Sequence, residues 1–341
     1  MNATMPLENT EHFPVMLKEI LNIVTPQHGG TFVDCTFGVG GYSKALLGFK
    51  NTKVIAIDRD NFSKQYSNKL SKDYKERFNF YNNKFSEIEQ IVNQEDSIKA
   101  VILDLGFSMV QMKNLSRGFS FNSTGLLDMT MGLNKFTAHD VINKLDQKEI
   151  ELILKYFGEE KNAKRISYEI INFRKNKIVT TVDLIKIINK CKKKKYFSKI
   201  NQATKSFQAI RIFVNNEISE LIFGLINISK ELKPGSKLIV VTFHSLEDKI
   251  VKYFFRTYSE KKNPSRYLPD LKLEDKRLFD IVQRKAIIPS SKEVSINNAS
   301  RSAKLRYVIR NDNKFIYPKE FVDKFQNYLD IERFGLKFWK T

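Results

Sequence analysis

The sequence predicts an α/β fold in which a mostly parallel sheet carries helices on both faces and is interrupted by a helical insertion. Short apolar runs that end in aspartate alternate with helical patterns through the first third of the chain, which is typical of a parallel sheet covered on both sides. A glycine-rich turn, residues 38–41, joins the first run to the first helix. Purely helical periodicity then separates the third apolar run from a fourth.

Four segments are predicted as strands of this sheet. They are TFVDCTF (31–37), KVIAID (53–58), KAVILDLG (99–106) and SKLIVVTFHS (236–245). The segment SKALLGFK (43–50) is the predicted helix between the first two, and Pro234-Gly235 is the predicted helix stop before the fourth.

Helical patterns dominate from about residue 135 to 233. In the first helical pattern (146–158), Asp146 and Glu149 predict a capping box at the start of the helix, and Gly158 predicts its end. The patterns are DQKEIELILKYFG (146–158), AKRISYEIINF (163–173), TTVDLIKIINKCKKKK (180–195) and a continuous one from Phe207 to Leu232. The lysine run 192–195 is open to two readings, a solvated helix end or an RNA contact. We therefore divide the chain into the α/β domain, first part (1–112), a helical, substrate-recognition insertion (113–212) and the α/β domain, second part (213–341).

Composition narrows the class of partner. With 58 basic and 38 acidic residues the formal charge is +20, which favours a polyanion such as nucleic acid, although a lysine-rich composition could supply part of the excess. Two distant cysteines and four unclustered histidines predict no disulfide scaffold and no metal. Without a long apolar run or a leader pattern, we expect a cytoplasmic protein with no membrane segment.

The glycine turn predicts a nucleoside cofactor. The dinucleotide pattern GxGxxG is incomplete because Ser43 stands at its third glycine, and the Walker lysine pattern is absent. Instead Asp34 precedes Gly38 and Gly40, and Asp58 ends the next strand, placed to take ribose hydroxyls. These features favour S-adenosylmethionine over a nicotinamide dinucleotide, and a bare turn without a ligand is the weaker alternative. Asp104, at the end of the third strand, strengthens the choice, since the amino and sulfonium groups of that cofactor are both cationic.

Seven blocks, in order, resemble the signatures of the RsmH (MraW) family of 16S ribosomal RNA cytosine-N4 methyltransferases. They are HFPVMLKEIL, GGTFVDCTFGVGGYSKALL, DLGFSMVQMKNLSRGFSF, LLDMTM, FQAIRIFVNNEI, FHSLEDKIVK and SRSAKLR, and the resemblance runs from about residue 12 to 310. The resemblance implies a class I, Rossmann-like methyltransferase domain with a helical insertion. It implies a cytidine in the decoding region of 16S rRNA, or of the small ribosomal subunit, as substrate; a homodimer is left open. The implied cofactor contacts are Gly40, Gly41, Tyr42, Asp58, Phe85, Asp104 and Gln111.

The chain departs from the family pattern at several positions. Tyr42 replaces a usual His, Met109-Val110 a usual Ser-Pro, Thr130 a usual Arg, and Asn298-Ala299 a usual Pro-Arg. Tyr42 can still stack and hydrogen-bond, whereas Thr130 and Ala299 remove cationic groups from the expected RNA side.

Two carboxylates are candidates for the chemistry. The lone pair of cytosine N4 is delocalised into the ring, so an acceptor bonded to the N4 hydrogens would favour the nucleophilic form. We predict this role for Asp104, with cofactor binding as an equally open alternative, and for Asp128 as a second candidate, against a simple helix-capping role.

The candidate RNA contacts are spread over three regions. Phe119, like Phe107 and Phe121, could stack on a flipped base. Arg117 and the cluster Arg301, Lys304 and Arg306 could contact phosphates. His244 could face the base or a phosphate, beside Ser245 as a predicted N-cap.

Three rival functions remain at this stage. A nicotinamide oxidoreductase is disfavoured by Ser43. A non-catalytic RNA-binding or ribosome-assembly factor with this fold is kept open by the departures, as is a methyltransferase with another RNA target.

Overall fold

The computed structural model describes residues 14–92, 97–123, 125–132, 134–174, 178, 180–192, 201–260 and 277–338. Within them, seven strands form one sheet in the order β3-β2-β1-β4-β5-β7-β6. The strands are β1 (Gly30–Asp34), β2 (Thr52–Ile57), β3 (Phe78–Tyr81), β4 (Ile98–Asp104), β5 (Lys237–Thr242), β6 (Phe279–Ile281) and β7 (Lys304–Arg310). The first five pair in parallel, and β7 runs antiparallel to both β5 and β6. The four predicted strands are confirmed; β3, β6 and β7 were not among them.

Helices cover both faces of this sheet. They are α1 (Leu17–Val24), α2 (Gly41–Leu47), α3 (Lys64–Tyr74), α4 (Met109–Lys113), α5 (Ala138–Lys144), α6 (Gln147–Gly158), α7 (Ala163–Phe173), α8 (Thr181–Cys191), α9 (Thr204–Asn215), α10 (Glu217–Glu231), α11 (Ser245–Thr257), α12 (Ser291–Ile296) and α13 (Lys319–Glu332). No helix in the described ranges is long and apolar enough to cross a lipid bilayer.

Successive residues of the central strands are buried in two different cores. In β4, Val101 and Leu103 belong to a core shared with the inserted helices, while Ala100 and Ile102 belong to a core on the other face. Because side chains alternate along a strand, this pattern is that of a sheet covered on both sides. It explains why the strands have almost continuously apolar sequences.

The inserted helices pack on one another. Helix α6 contacts α7 and α9, and α7 contacts α8, whereas α10 packs on residues 85–90 and on α13. The predicted capping box at the start of α6 is confirmed, since Asp146 accepts from Glu149 N (2.8 Å) and Glu149 accepts from Asp146 N (2.9 Å). The predicted domain boundaries at 112/113 and 212/213 stay a prediction.

Gly158 is not a stop outside the helix but the last residue of α6. The left-handed residue is Glu159 (φ 48°). A Cβ on Gly158 would lie 2.4 Å from the Lys205 carbonyl oxygen of α9. The glycine is therefore needed for the close approach of two helices rather than for a turn.

The continuous helix predicted from Phe207 to Leu232 is wrong. The chain breaks at Asn216, which adopts a left-handed conformation (φ 50°) between α9 and α10. Asparagine tolerates this conformation better than most residues. The carboxylate of Glu332 in α13 accepts from the first backbone N–H groups beyond the break, those of Ile218 and Ser219 (both 2.9 Å).

Two further predictions concern partly described or exposed regions. Lys192 pairs with the buried carboxylate of Glu160, so it is not on a solvated helix end; Lys193, Lys194 and Lys195 lie outside the described residues. Phe173, placed by periodicity on the buried face of α7, is 40% exposed.

Candidate active site

A cavity of about 370 Å³ lies at the carboxyl ends of β1, β2 and β4. Strand order reverses between β1 and β4, and ligands of open α/β sheets bind at such a switch point. Its lining comes from the turn after β1, the ends of β2 and β4, the α9–α10 break, and residues 243–247 and 297–302. Segments distant in sequence thus converge on one site.

The glycine turn approaches the cavity at Gly38. This residue has φ +57°, and a Cβ on it would meet only the Thr36 carbonyl oxygen at 3.9 Å, leaving open space. Gly41 also lines the cavity, but Gly40 turns away, because its hydrogen faces the ring of Phe37, which a Cβ would approach to 2.8 Å. Of the two glycines predicted as cofactor contacts, Gly41 faces the cavity and Gly40 does not. Gly38, which the sequence analysis placed in the cofactor turn but not among those contacts, also lines the cavity.

Asp58 joins the glycine turn to the end of β2. Its Oδ2 accepts from Gly38 N (2.6 Å) and its Oδ1 from Asp60 N (2.7 Å). Burial raises the pKa of this carboxyl group, and the two backbone N–H donors oppose the shift. The carboxyl group lines the cavity, where its remaining lone pairs suit hydroxyl donors.

Asp104 presents an unsatisfied oxygen at the end of β4. Its Oδ1 is buried without a hydrogen-bond partner, and its Oδ2 lies 3.2 Å from the Tyr42 hydroxyl. Burial raises the pKa of Asp104 to about 8, against the hydrogen bond from Tyr42 and with help from the negative charges of Asp34, Glu247 and Glu293. A buried acceptor without a partner is costly, so this position suits a ligand that brings a cation or an N–H group.

Tyr42 and Asp34, two residues near Asp104, have different hydrogen-bond partners. The Tyr42 hydroxyl has a single hydrogen, which it can donate either to Val15 O or to Asp104; burial raises its pKa. Asp34 lies behind the cavity lining, accepting from the Ser43 hydroxyl (2.7 Å) and Thr36 N (3.3 Å). Two of the three strand-end acids, Asp58 and Asp104, therefore face the cavity, and the third supports the turn.

Gln111 and Arg117 meet on Asp60, a residue that the sequence analysis missed. Gln111 Nε2 donates to Asp60 Oδ2 (2.5 Å), and the Arg117 guanidinium lies 2.7 Å from the same oxygen. Arg117 also donates to Thr130 O (2.7 Å) and is only 16% exposed. Gln111 lines the cavity, and its contact with the cofactor stays a prediction. Arg117 is turned inward, an orientation that does not support a phosphate contact.

Arg59 is a second missed residue of the lining. Its NH1 donates to Asn215 O (2.7 Å), while its Nε and NH2 are buried without partners. Buried donors without acceptors suit the ring nitrogens or carboxylate of a ligand. The signal in the sequence was the charged triplet Asp58-Arg59-Asp60 directly after a strand.

Phe119 lies inside a cation–aromatic column, which we define as Arg117, Phe119, Phe107 and Arg211. Arg117 lies 5.3 Å from the Phe119 ring centroid, the two phenylalanine rings stack at 5.5 Å, and Arg211 lies 4.9 Å from the Phe107 centroid. Phe119 is 7% exposed. Its neighbours in the column cover the ring, so the geometry does not support it as a platform for a flipped base.

His244, not Ser245, is the N-cap of α11. Its extended backbone (φ −135°, ψ 164°) lets Nδ1 accept from Glu247 N (3.4 Å). The prediction of Ser245 as cap is wrong by one residue. His244 is thereby turned to Glu247, whose carboxylate also accepts from Phe243 N (2.8 Å).

Ligand atoms of Glu217, His244 and Glu247 come within 4.8 Å of one another. Both oxygens of Glu217 are already bonded to the Arg211 guanidinium (2.8 Å each). That cation already occupies the carboxylate that a metal would need, and the expectation of no metal stays a prediction.

The remaining candidates lie away from the cavity lining. Asp128 accepts from the N–H (3.2 Å) and hydroxyl (2.7 Å) of Thr130 in its own turn. Asp248 binds both Lys304 (3.0 Å) and Arg306 (2.8 Å). Arg301 is exposed. The assignments of Asp128 to catalysis and of Lys304, Arg306 and Arg301 to RNA stay predictions, of which Arg301 has the most accessible side chain.

A parallel sheet with a reversed strand β7, a glycine turn at its switch point and acidic groups ending β2 and β4 defines a class of enzyme. The protein is a class I, S-adenosylmethionine-dependent methyltransferase. Residues 9–311 match the MraW methylase family, and the chain belongs to that family.

Relatives of similar length agree with this assignment. Proteins named ribosomal RNA small subunit methyltransferase H are 40% identical in Ehrlichia canis over 303 residues (88% of this chain, 99% of that protein) and 42% identical in a Wolbachia strain over 303 residues (88% and 99%). The protein of that name in Rickettsia prowazekii is 40% identical over 303 residues (86% and 97%).

Proposed function

We propose that this methyltransferase methylates the N4 amino group of a cytidine in small-subunit ribosomal RNA. The observation that carries the proposal is the unpaired, buried Asp104 oxygen at the switch-point cavity, because an exocyclic amino group supplies the missing donor. The names of the relatives and the resemblance to cytosine-N4 methyltransferases support the choice of RNA and atom.

The residues of the cavity fit S-adenosylmethionine. When bound, this cofactor supplies a methyl group activated by attachment to a cationic sulfur. Asp58 offers acceptors for ribose hydroxyls, the open side of Gly38 leaves room for close approach, and Arg59 offers two unused donors. Gly41, Tyr42, Phe85 and Gln111 complete the proposed binding site.

Asp104 is the proposed acceptor for the N4 amino group. By accepting an N4–H bond it would hold the nitrogen with its lone pair free, and it would take the proton that N4 loses on methylation. A carboxyl group with a pKa of about 8 is a better proton acceptor than an ordinary aspartate. Positioning of the two reactants in the cavity supplies the rest of the rate.

We place the reaction on 16S rRNA or the small subunit, in the cytoplasm. The formal charge of +20 supports an RNA partner. An assembly of two copies remains a proposal, tested by light scattering.

Mass spectrometry of small-subunit RNA nucleosides tests the proposed function. We expect N4-methylcytidine in cells that carry the gene and its loss on deletion, with return on complementation by the wild type but not by Asp104→Ala. An unchanged level after deletion, or loss of a different nucleoside, would refute the proposal.

A further inference from the structure

The cavity has a second wall that the cofactor assignment leaves unused. It is formed by Phe107, Arg211, Glu217 and Glu247. Neither a nucleoside cofactor nor the predicted catalytic group accounts for a buried arginine there. The wall lies across distant segments of the chain, the turn after β4, the α9–α10 break and the start of α11.

Arg211 is held in a fixed orientation in this wall. Its Nε and NH2 donate to the two oxygens of Glu217 (2.8 Å each), and its guanidinium lies 4.9 Å from the Phe107 ring centroid. Burial would lower the pKa of Arg211, but the Glu217 carboxylate prevails and raises it. The side chain is 11% exposed. Glu217 thus fixes one edge of the Arg211 guanidinium, which is planar and permanently charged.

The other edge of this guanidinium is free. Among the residues that the structure describes, NH1 of Arg211 has no hydrogen-bond acceptor, although Arg211 lines the cavity. A guanidinium fixed by one carboxylate and unpaired on the opposite edge suits a planar acceptor pair, as in nucleobase recognition.

Arg211 and Asp104 both belong to the lining of one cavity. Phe107, on which Arg211 rests, follows Asp104 by three residues, and both side chains line the same cavity. Glu247 acts electrostatically on Asp104 and on Arg211 alike. The cavity therefore offers an acceptor at one point and an oriented donor edge at another.

We propose that Arg211 reads the target base, donating from NH1 and from the remaining N–H of NH2 to N3 and O2 of cytosine while Asp104 accepts from N4. This inference rests on the proposed function and extends it to the choice of base. The hydrogen-bonding edge of cytosine is donor, acceptor, acceptor; in uracil the first two are exchanged. Uracil would place O4 against a carboxyl oxygen and N3–H against a guanidinium, so both contacts would fail. Glu217 is then a positioning residue, because it acts only by orienting Arg211.

The test compares variants of the Arg211–Glu217 pair in full-length protein. Removing Arg211 alone would leave Glu217 buried and unpaired, which can unfold a protein, so the main variant is the double substitution R211M/E217M, which removes both partners. Glu217→Gln keeps the shape and one hydrogen bond. Arg333→Met is the control, since Arg333 is 64% exposed and pairs only with Asp330.

Three measurements are made on each variant that melts cooperatively. They are S-adenosylmethionine binding by calorimetry, methyl transfer to small subunits from cells lacking the gene, and binding of cytidine or uridine to the protein–S-adenosylhomocysteine complex by NMR. We expect the double variant to bind the cofactor normally, to lose about 100-fold or more in kcat/KM, and to bind the two nucleosides equally. Glu217→Gln should show a partial loss, and Arg333→Met should match the wild type, which should prefer cytidine.

Other outcomes overturn the inference separately from the proposed function. Normal kcat/KM and cytidine preference in the double variant would exclude base reading by Arg211, as would no cytidine preference in the wild type. Loss of cofactor binding in the double variant would place Arg211 in the cofactor site instead. Absence of N4-methylcytidine from the wild-type reaction would refute the proposed function itself.

Discussion

At the scale of single residues, the environment of Asp104 determines what this site can do. One of its oxygens meets Tyr42 and the other meets no protein group, in a setting that raises the pKa of its carboxyl group to about 8. The strand-end position of Asp104 was predictable from the sequence. Its unpaired oxygen was not, because whether a donor reaches Oδ1 depends on how distant segments pack around the cavity.

The substitution Asp104→Asn should separate the two roles left open for this residue. The amide keeps the size of the side chain but cannot take a proton, so we expect kcat to fall by about 10²–10⁴-fold. If Asp104 serves N4, cofactor affinity should change little; if it mainly holds the cofactor, affinity should fall in parallel. Turnover is measured by tritiated methyl transfer and affinity by calorimetry. Near-normal turnover in a folded variant would refute both roles.

If Asp104 holds the cofactor, cofactor binding should depend on pH through this residue. In the ligand-free protein its pKa of about 8 keeps the group largely protonated at pH 7, and a cationic ligand favours the carboxylate. Binding at pH 7 should therefore release a proton, and affinity should rise with pH up to about pH 8. Calorimetry in phosphate and in Tris measures the proton release, which Asp104→Asn should abolish. Identical heats in both buffers for the wild type would contradict the assignment.

The same group affects the stability of the ligand-free protein. Its folded-state pKa lies above the ordinary value of 3.8, so the folded protein binds the proton more tightly than the unfolded chain does. Protonation therefore stabilises the folded state, and this contribution is lost as pH rises toward 8. Asp34, with its pKa raised to about 6 by burial, acts in the same direction at lower pH.

At the scale of elements, local sequence predicted the buried strands and the amphipathic helices, but not the breaks that build the site. The α9–α10 pattern is continuous in periodicity, and only the left-handed Asn216 divides it. The break places Arg211 and Glu217 side by side. The short strands β3 and β6 were missed because four and three residues are too few for a period to emerge.

Two glycines in different helices form a matched pair for testing the cavity wall. A Cβ on Gly224 of α10 would lie 2.2 Å from the Phe85 ring, which lines the cavity, whereas one on Gly158 would lie 2.4 Å from the Lys205 carbonyl, away from it. Overpacking costs about 1–3 kcal/mol. Gly224→Ala should push Phe85 inward and weaken S-adenosylmethionine binding by about tenfold.

Gly158→Ala is the control for this prediction. It should lower the free energy of unfolding in urea and leave cofactor affinity unchanged. Equal cofactor affinities in the two alanine variants, with both proteins folded, would show that Phe85 does not shape the binding site.

At the scale of the whole molecule, residues from most of the chain meet at the carboxyl ends of the parallel strands. Sequence blocks indicated which segments matter, and our proposal for the cofactor half of the site followed from strand-end acids. The opposite wall did not, because no local pattern encodes that residues 107, 211 and 247 meet in space. Several predicted RNA contacts, Arg117 and Phe119 among them, instead pack inside the protein.

The net charge of +20 predicts strong salt dependence of RNA binding. Each phosphate contact releases counterions, so affinity for small-subunit RNA should fall at least about tenfold between roughly 50 and 200 mM salt. Fluorescence anisotropy with labelled RNA measures this. Cofactor affinity, measured over the same range, should vary much less, and a salt-independent RNA affinity would argue against a phosphate-binding surface.

A crystal structure with S-adenosylhomocysteine tests the central claim most directly. We predict the nucleoside between Gly38 and Asp58, with the sulfur directed toward Asp104 and open space between that sulfur and Arg211 for a base. Density for the ligand outside the crevice at the ends of β1, β2 and β4, or a sulfur remote from Asp104, would contradict the account.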